Sequence, residues 1–138
     1  GWTVDVNNPY YSTDGDFLMN KAQTVIIATG GSTANKVKIP ATVKEIANYG
    51  LACAGARNII TGVEIPSSVE KIGEYGLAYL AGVSSIKIPA TVKYIDAYAF
   101  SDWNSNQSVR FEVSRDVAYS SFNASFLTRC NAKVTFGA

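Results

Sequence analysis

The chain has 138 residues, 12 basic and 11 acidic side chains for a formal net charge of +1, and 47% apolar residues. That is one domain's length with enough apolar content to fold around a core, which excludes a disordered chain. A charge so near zero supplies no net field to recruit nucleic acid or an anionic membrane, and no apolar run approaches the roughly 20 residues that span a bilayer.

There is no His, which removes the usual general base near neutral pH and the commonest metal ligand. The chain starts on Gly1 rather than Met, as expected of a mature or excised piece whose targeting segment has been removed.

Trp2-Thr3-Val4-Asp5-Val6 alternates in side-chain direction and predicts a short entry strand. Asn7-Asn8-Pro9 is a turn signal. Phe17-Leu18-Met19 and Thr24-Val25-Ile26-Ile27, joined at Asn20-Lys21, predict a β-hairpin. Asp14 and Asp16 lack the further acidic ligands of a calcium loop and read as a plain turn. Gly30-Gly31-Ser32 closes the hairpin and lacks the Lys and Ser/Thr that complete a phosphate loop.

A pattern then occurs three times: Val37-Lys38-Ile39-Pro40-Ala41-Thr42-Val43, Val63-Glu64-Ile65-Pro66-Ser67-Ser68-Val69 and Ile86-Lys87-Ile88-Pro89-Ala90-Thr91-Val92. The prolines lie 26 and then 23 residues apart, a spacing typical of stacked repeats. In each copy the first and third residues point inward along a strand and the second (Lys38, Glu64 or Lys87) points out. Proline ends the strand because it has no N–H for the neighbouring ladder. A tight segment follows, Tyr49-Gly50-Leu51, Tyr75-Gly76-Leu77 or Tyr98-Ala99-Phe100, whose small residue suits close approach of coils and whose Leu or Phe fills the core. Propensity alone also allows a helix from Thr42 to Cys53, but the proline-bounded strand and short repeat leave room for about one helical turn.

Stacked in register, the repeats align Lys38 with Glu64 and Lys87, Lys44 with Glu70 and Lys93, and Glu45 with Lys71 and Tyr94. Opposite charges on adjacent strands favour pairing, so the alternating signs support parallel, in-register coils. The same alternation explains these charges as pairs between coils on a solvated face, beside the alternative of direct ligand contact.

Beyond Phe100 the pattern weakens. Val109-Arg110-Phe111 lies 23 residues after Ile86-Lys87-Ile88 and fits a fourth strand, and Val134-Thr135-Phe136 a last one. Between them Val117–Phe122 suits a short helix over the open end, since terminal repeats of a solenoid are atypical. Cys53 and Cys130 fall about three coils apart at roughly 4.8 Å per coil, beyond the roughly 7 Å Cα limit of a disulfide, and read as unpaired thiols.

Val63 through Leu77 resembles the BspA-like leucine-rich repeat of bacterial surface proteins, roughly Ile-x-Ile-Pro-x-x-Val-x-x-Ile-Gly-x-x-Ala-Phe. Tyr98-Ala99-Phe100 matches the Ala-Phe pair, while Gly50-Leu51 and Gly76-Leu77 soften it. The Cys of that family falls on Ala54, Leu80 and Trp103 here. The N-terminal hairpin also resembles an insertion common in the family. The resemblance implies a right-handed repeat solenoid of short parallel strands, tight turns and brief helical segments. It also implies secretion or display at a bacterial cell surface, and binding of a host or neighbouring-cell protein. It carries no catalytic residues to transfer.

The chain therefore reads as one domain, with an entry strand and hairpin over 1–36, three repeats over 37–108 and degenerate capping repeats over 109–138. The expected function is a non-catalytic binding module without a cofactor. Its candidate ligand residues are the outward column Lys38, Glu64, Lys87 and Arg110, a mixed-charge face for a protein. The alternative partner is a glycan stacked on Tyr49, Tyr75 and Tyr98, set against the reading of these tyrosines as half-buried spacers between coils. A spacer role in a larger surface protein is the third possibility.

Overall fold

The computed structural model describes residues 3–14, 17–29, 36–52 and 60–138. Trp2, Asp16, the Gly30-Gly31-Ser32 corner, Cys53 and Ala54 lie outside the described residues.

The chain enters through an antiparallel meander of β1 (Tyr11–Thr13), β2 (Phe17–Asn20) and β3 (Val25–Thr29). The β2–β3 corner is held by Asn20, whose side-chain oxygen accepts from the N–H groups of Thr24 and Val25. Between β1 and β2, the Asp14 carboxylate accepts from the Phe17 N–H at 3.0 Å. The predicted entry strand does not form: Thr3–Val6 joins no sheet, and β1 takes that role. Val6 is 82% exposed, so alternation there has no apolar surface to meet. Asp5 folds the chain into a turn instead, its carboxylate accepting from the Asn7 N–H and its carbonyl from the Asn8 N–H.

From β3 onward the chain winds as a solenoid with two ladders. The first carries the long strands β4 (Lys36–Lys38), β6 (Gly62–Glu64), β8 (Ser85–Ile88), β10 (Ser108–Ser114) and β11 (Lys133–Gly137), and is divided into β4–β6 and β8–β10–β11. The second carries the two-residue strands β5 (Glu45–Ile46), β7 (Lys71–Ile72) and β9 (Tyr94–Ile95). It begins on β3, so the meander extends the solenoid edge to edge. All pairings between coils are parallel and keep the predicted register, Val37 on Val63, Ile86 on Val109 and Val109 on Val134.

Thr42–Ala52 holds strand and turns rather than a helix. The helical segment among the described residues is α1 (Arg115–Ser121), capped by the Ser114 hydroxyl, which accepts from the Val117 N–H.

Register turns the repeated sequence into buried columns. Ile26, Ile46, Ile72 and Ile95 form one, and Val43, Val69 and Val92 another. Ile39 and Ile65, one residue past β4 and β6, and Ile88, the last of β8, are likewise buried. Each apolar side chain packs on its equivalent one coil away, so a single motif builds the whole core. At the C-terminal end the columns give way to aromatics, where Phe111 meets Phe100, Phe126 and Phe136 at centroid separations of 5.8, 5.7 and 5.3 Å.

Candidate functional site

The outward residues of the long strands form one face. Lys38, Glu64, Lys87 and Arg110 are all exposed on it, directly above the buried column Val37, Val63, Ile86 and Val109. The register places Lys38 beside Glu64, and Lys87 beside Arg110. The predicted continuity from Glu64 to Lys87 fails, because β6 and β8 are not hydrogen-bonded neighbours and the ladder divides there. Lys87 pairs with Glu112 on β10 instead, at 3.9 Å. Arg110 donates from Nη1 to the Phe136 carbonyl at 2.7 Å, so its guanidinium lies over β11.

The column on the opposite turn pairs in part: Lys44 meets Glu70 at 3.7 Å, while Lys93 joins Glu70 through the main chain, its N–H donating to the Glu70 carbonyl at 2.7 Å, and turns its ammonium to the Ala90 carbonyl. Register also aligns Glu45 with Lys71 and Tyr94. Lys44–Glu70 and Lys87–Glu112 are both exposed, where such contacts contribute on the order of 0 to 1 kcal/mol.

Tyr49, Tyr75 and Tyr98 come together as the repeat spacing predicts. Tyr49 and Tyr75 stack at 4.8 Å with 7° between planes, and Tyr75 and Tyr98 at 5.3 Å with 27°. Spacing does not reveal two further members. Tyr79 lies beside Tyr75 at 6.2 Å, and the Arg129 guanidinium sits 5.5 Å from the Tyr98 ring centre. Arg129 belongs to the degenerate tail, where no repeat signal marks it.

Tyr49 is 51% exposed and the other rings are half-buried, so the tyrosines span the two readings made from sequence. Burial raises the Tyr75 hydroxyl above its ordinary pKa, Arg129 pulls it back down, and the neighbouring tyrosines add to the rise. Stacking turns the ring faces toward each other and leaves mostly edges and hydroxyls outside, a geometry suited to spacing coils.

Cys130 is a free cysteine whose thiol burial pushes up, which favours the unreactive protonated form. Among the described residues no group of His, Cys, Asp and Glu is placed to hold a metal ion, and no helix is long and apolar enough to cross a membrane.

No curated protein matches the chain. Among solved structures, that of the pneumococcal vaccine antigen PcpA is similar at 13% identity and a TM-score of 0.36, covering 93% of this chain. The chain spans 48% of that structure's length. The profile of the BspA type leucine-rich repeat region matches in six copies over residues 31–136, from just ahead of β4 to within β11, including the coils that lack the proline. With the repeat present in sequence and its coils stacked in space, the chain belongs to the BspA-type leucine-rich repeat family.

Proposed function

We propose that the chain is a non-catalytic binding module of the bacterial cell surface, presenting the outer face of its long-strand ladder to a protein of a host or neighbouring cell. The observation that carries this reading is the exposure of Lys38, Glu64, Lys87 and Arg110 on one face over the buried residues Val37, Val63, Ile86 and Val109. A face built on strands binds with little ordering cost, since the order and spacing of its side chains along each strand are set before contact. BspA-type repeats are typical of bacterial surface proteins and generally non-catalytic, which supports both halves of the proposal.

The tyrosine column supports glycan stacking less well, because rings 4.8 and 5.3 Å apart leave no room for a sugar between them. Binding to immobilised matrix proteins, run beside a glycan array, tests the choice. The expected result is protein binding that falls about tenfold in a Lys38→Ala/Lys87→Ala variant with unchanged unfolding, and a blank array. Glycan binding abolished by Tyr75→Ala in a folded protein would reverse the assignment. No binding to any partner would favour a spacer role.

A further inference from the structure

The outer face of the long-strand ladder is more cationic than the chain as a whole. Lys36, Lys38, Lys87, Arg110 and Lys133 stand exposed on it against Glu64 and Glu112, a local +3 on a chain of net +1. Lys87 uses part of its charge on Glu112, and Arg110 one N–H on Phe136. Lys36, Lys38 and Lys133 have no carboxylate within ion-pair distance among the described residues.

The ladder is interrupted on this same face. β6 and β8 are not hydrogen-bonded neighbours, although elsewhere the same two coils are firmly joined. Lys71 pairs with Tyr94 and Ile72 with Ile95 in the second ladder. Beside the tyrosines the Leu77 N–H donates to the Ala99 carbonyl at 2.9 Å. The opening is therefore local to the charged face. A recess of about 450 Å³ flanks it beside Lys36 and Lys38. Another of about 380 Å³ lies beside Lys87 and Arg110, and Glu64 lines both.

Resting on the protein-binding reading above, we propose that this break seats an acidic polypeptide segment of the partner. Its carboxylates occupy the two recesses, on Lys36 and Lys38 at one side and on Lys87 and Arg110 at the other. An uncharged residue lies opposite Glu64. Charge complementarity selects the ligand, because a cationic segment meets four like charges there and an acidic one meets two carboxylates, Glu64 and the Glu112 already paired with Lys87. The interrupted ladder favours a polypeptide over another polyanion. An extended main chain can lay alternate side chains into the two recesses that lie on either side of Glu64.

The test is fluorescence anisotropy with a labelled peptide of alternating Glu and Thr, about 12 residues long, enough to cross the face in extended form. Matched peptides with Gln or Lys replacing Glu, and a heparin-derived oligosaccharide, serve as comparisons. The Glu peptide is expected to bind, the Gln and Lys peptides not, and the affinity to fall about tenfold as salt rises from about 50 to about 300 mM. Lys38→Glu and Lys87→Glu should each weaken binding about fivefold, and Lys93→Glu on the other ladder should leave it unchanged. Glu64→Gln should tighten it about threefold, a gain that a damaged fold cannot produce.

No binding of the Glu peptide at about 1 mM, tighter binding of the oligosaccharide, or weaker binding on Glu64→Gln overturns the proposal. If the peptide fails while matrix-protein binding still depends on Lys38 and Lys87, the acidic-segment claim falls and the protein-binding reading stands. If both are blank, both fall.

Discussion

Tyr49, Tyr75 and Tyr98 sit at φ of 60°, 57° and 58°, in the left-handed region that L side chains with bulky groups avoid. Their spacing is legible in sequence. Their backbone conformation is not, because no Gly or Asn occupies the strained position itself. The strain, of order 1 kcal/mol for each residue, is tolerated because hydrogen bonds between coils fix it, with the Tyr49 N–H on the Glu74 carbonyl and the Tyr75 N–H on the Ala97 carbonyl. Replacing Tyr75 by Gly or by Ala removes the same ring, yet only Gly relaxes the backbone. Tyr75→Ala should therefore be less stable than Tyr75→Gly by about 1 kcal/mol in urea unfolding, the reverse of the usual order in regular structure.

Tyr75 also has a pH consequence. Its pKa is raised in the folded state, chiefly by burial, so the folded protein keeps this proton longer than the unfolded chain. The stability it contributes is full below the unfolded value near 10 and is lost as pH rises through the folded one. Tyr75→Phe should flatten the alkaline limb of a stability-versus-pH curve measured by denaturant unfolding, and an unchanged limb would show that other tyrosines dominate.

At the scale of elements, the turns after the tyrosines illustrate how a family feature is lost without loss of structure. Leu80 and Trp103 replace the family's Cys, and both are buried. Trp103 gains a hydrogen bond from Nε1 to the Leu77 carbonyl at 2.7 Å. Next to it, buried Gln107 donates to the carbonyls of Leu80 and Val83, each at 2.8 Å, and accepts from the Asn104 N–H. Nothing in the repeat pattern marks Gln107, because its role depends on carbonyls one coil away. Gln107→Leu should cost about 1 to 3 kcal/mol by leaving those groups unmet, read as a lower denaturation midpoint with the same slope. Strand placement beyond Phe100 followed from spacing alone, since Val109 and Val134 keep the repeat interval although the proline is gone. The entry strand was misread because alternation over Thr3–Val6 states which way side chains point, not whether anything covers them.

Across the whole molecule the fold was legible because one motif repeats, and repetition in sequence becomes translation in space. The division of the ladder between β6 and β8 was not legible, for the column Lys38, Glu64, Lys87 reads as continuous in either case. Position along the stack should govern how damage spreads. Ile26 and Ile72 are both fully buried in the same column, but Ile72 has coils on both sides and Ile26 joins the antiparallel meander. Ile72→Ala should lower global stability by about 3 kcal/mol. Ile26→Ala should instead raise hydrogen exchange first in Tyr11–Thr29, ahead of the remaining coils.

The divided ladder also sets how the solenoid flexes. One wall of the second and third coils is stitched at Lys71–Tyr94 and Ile72–Ile95, while the opposite wall, between β6 and β8, is held by apolar packing without ladder bonds. Bending is therefore easiest about the closed wall, as a book opens on its spine, and the arc can adapt its radius to a convex visitor without giving up a single ladder bond.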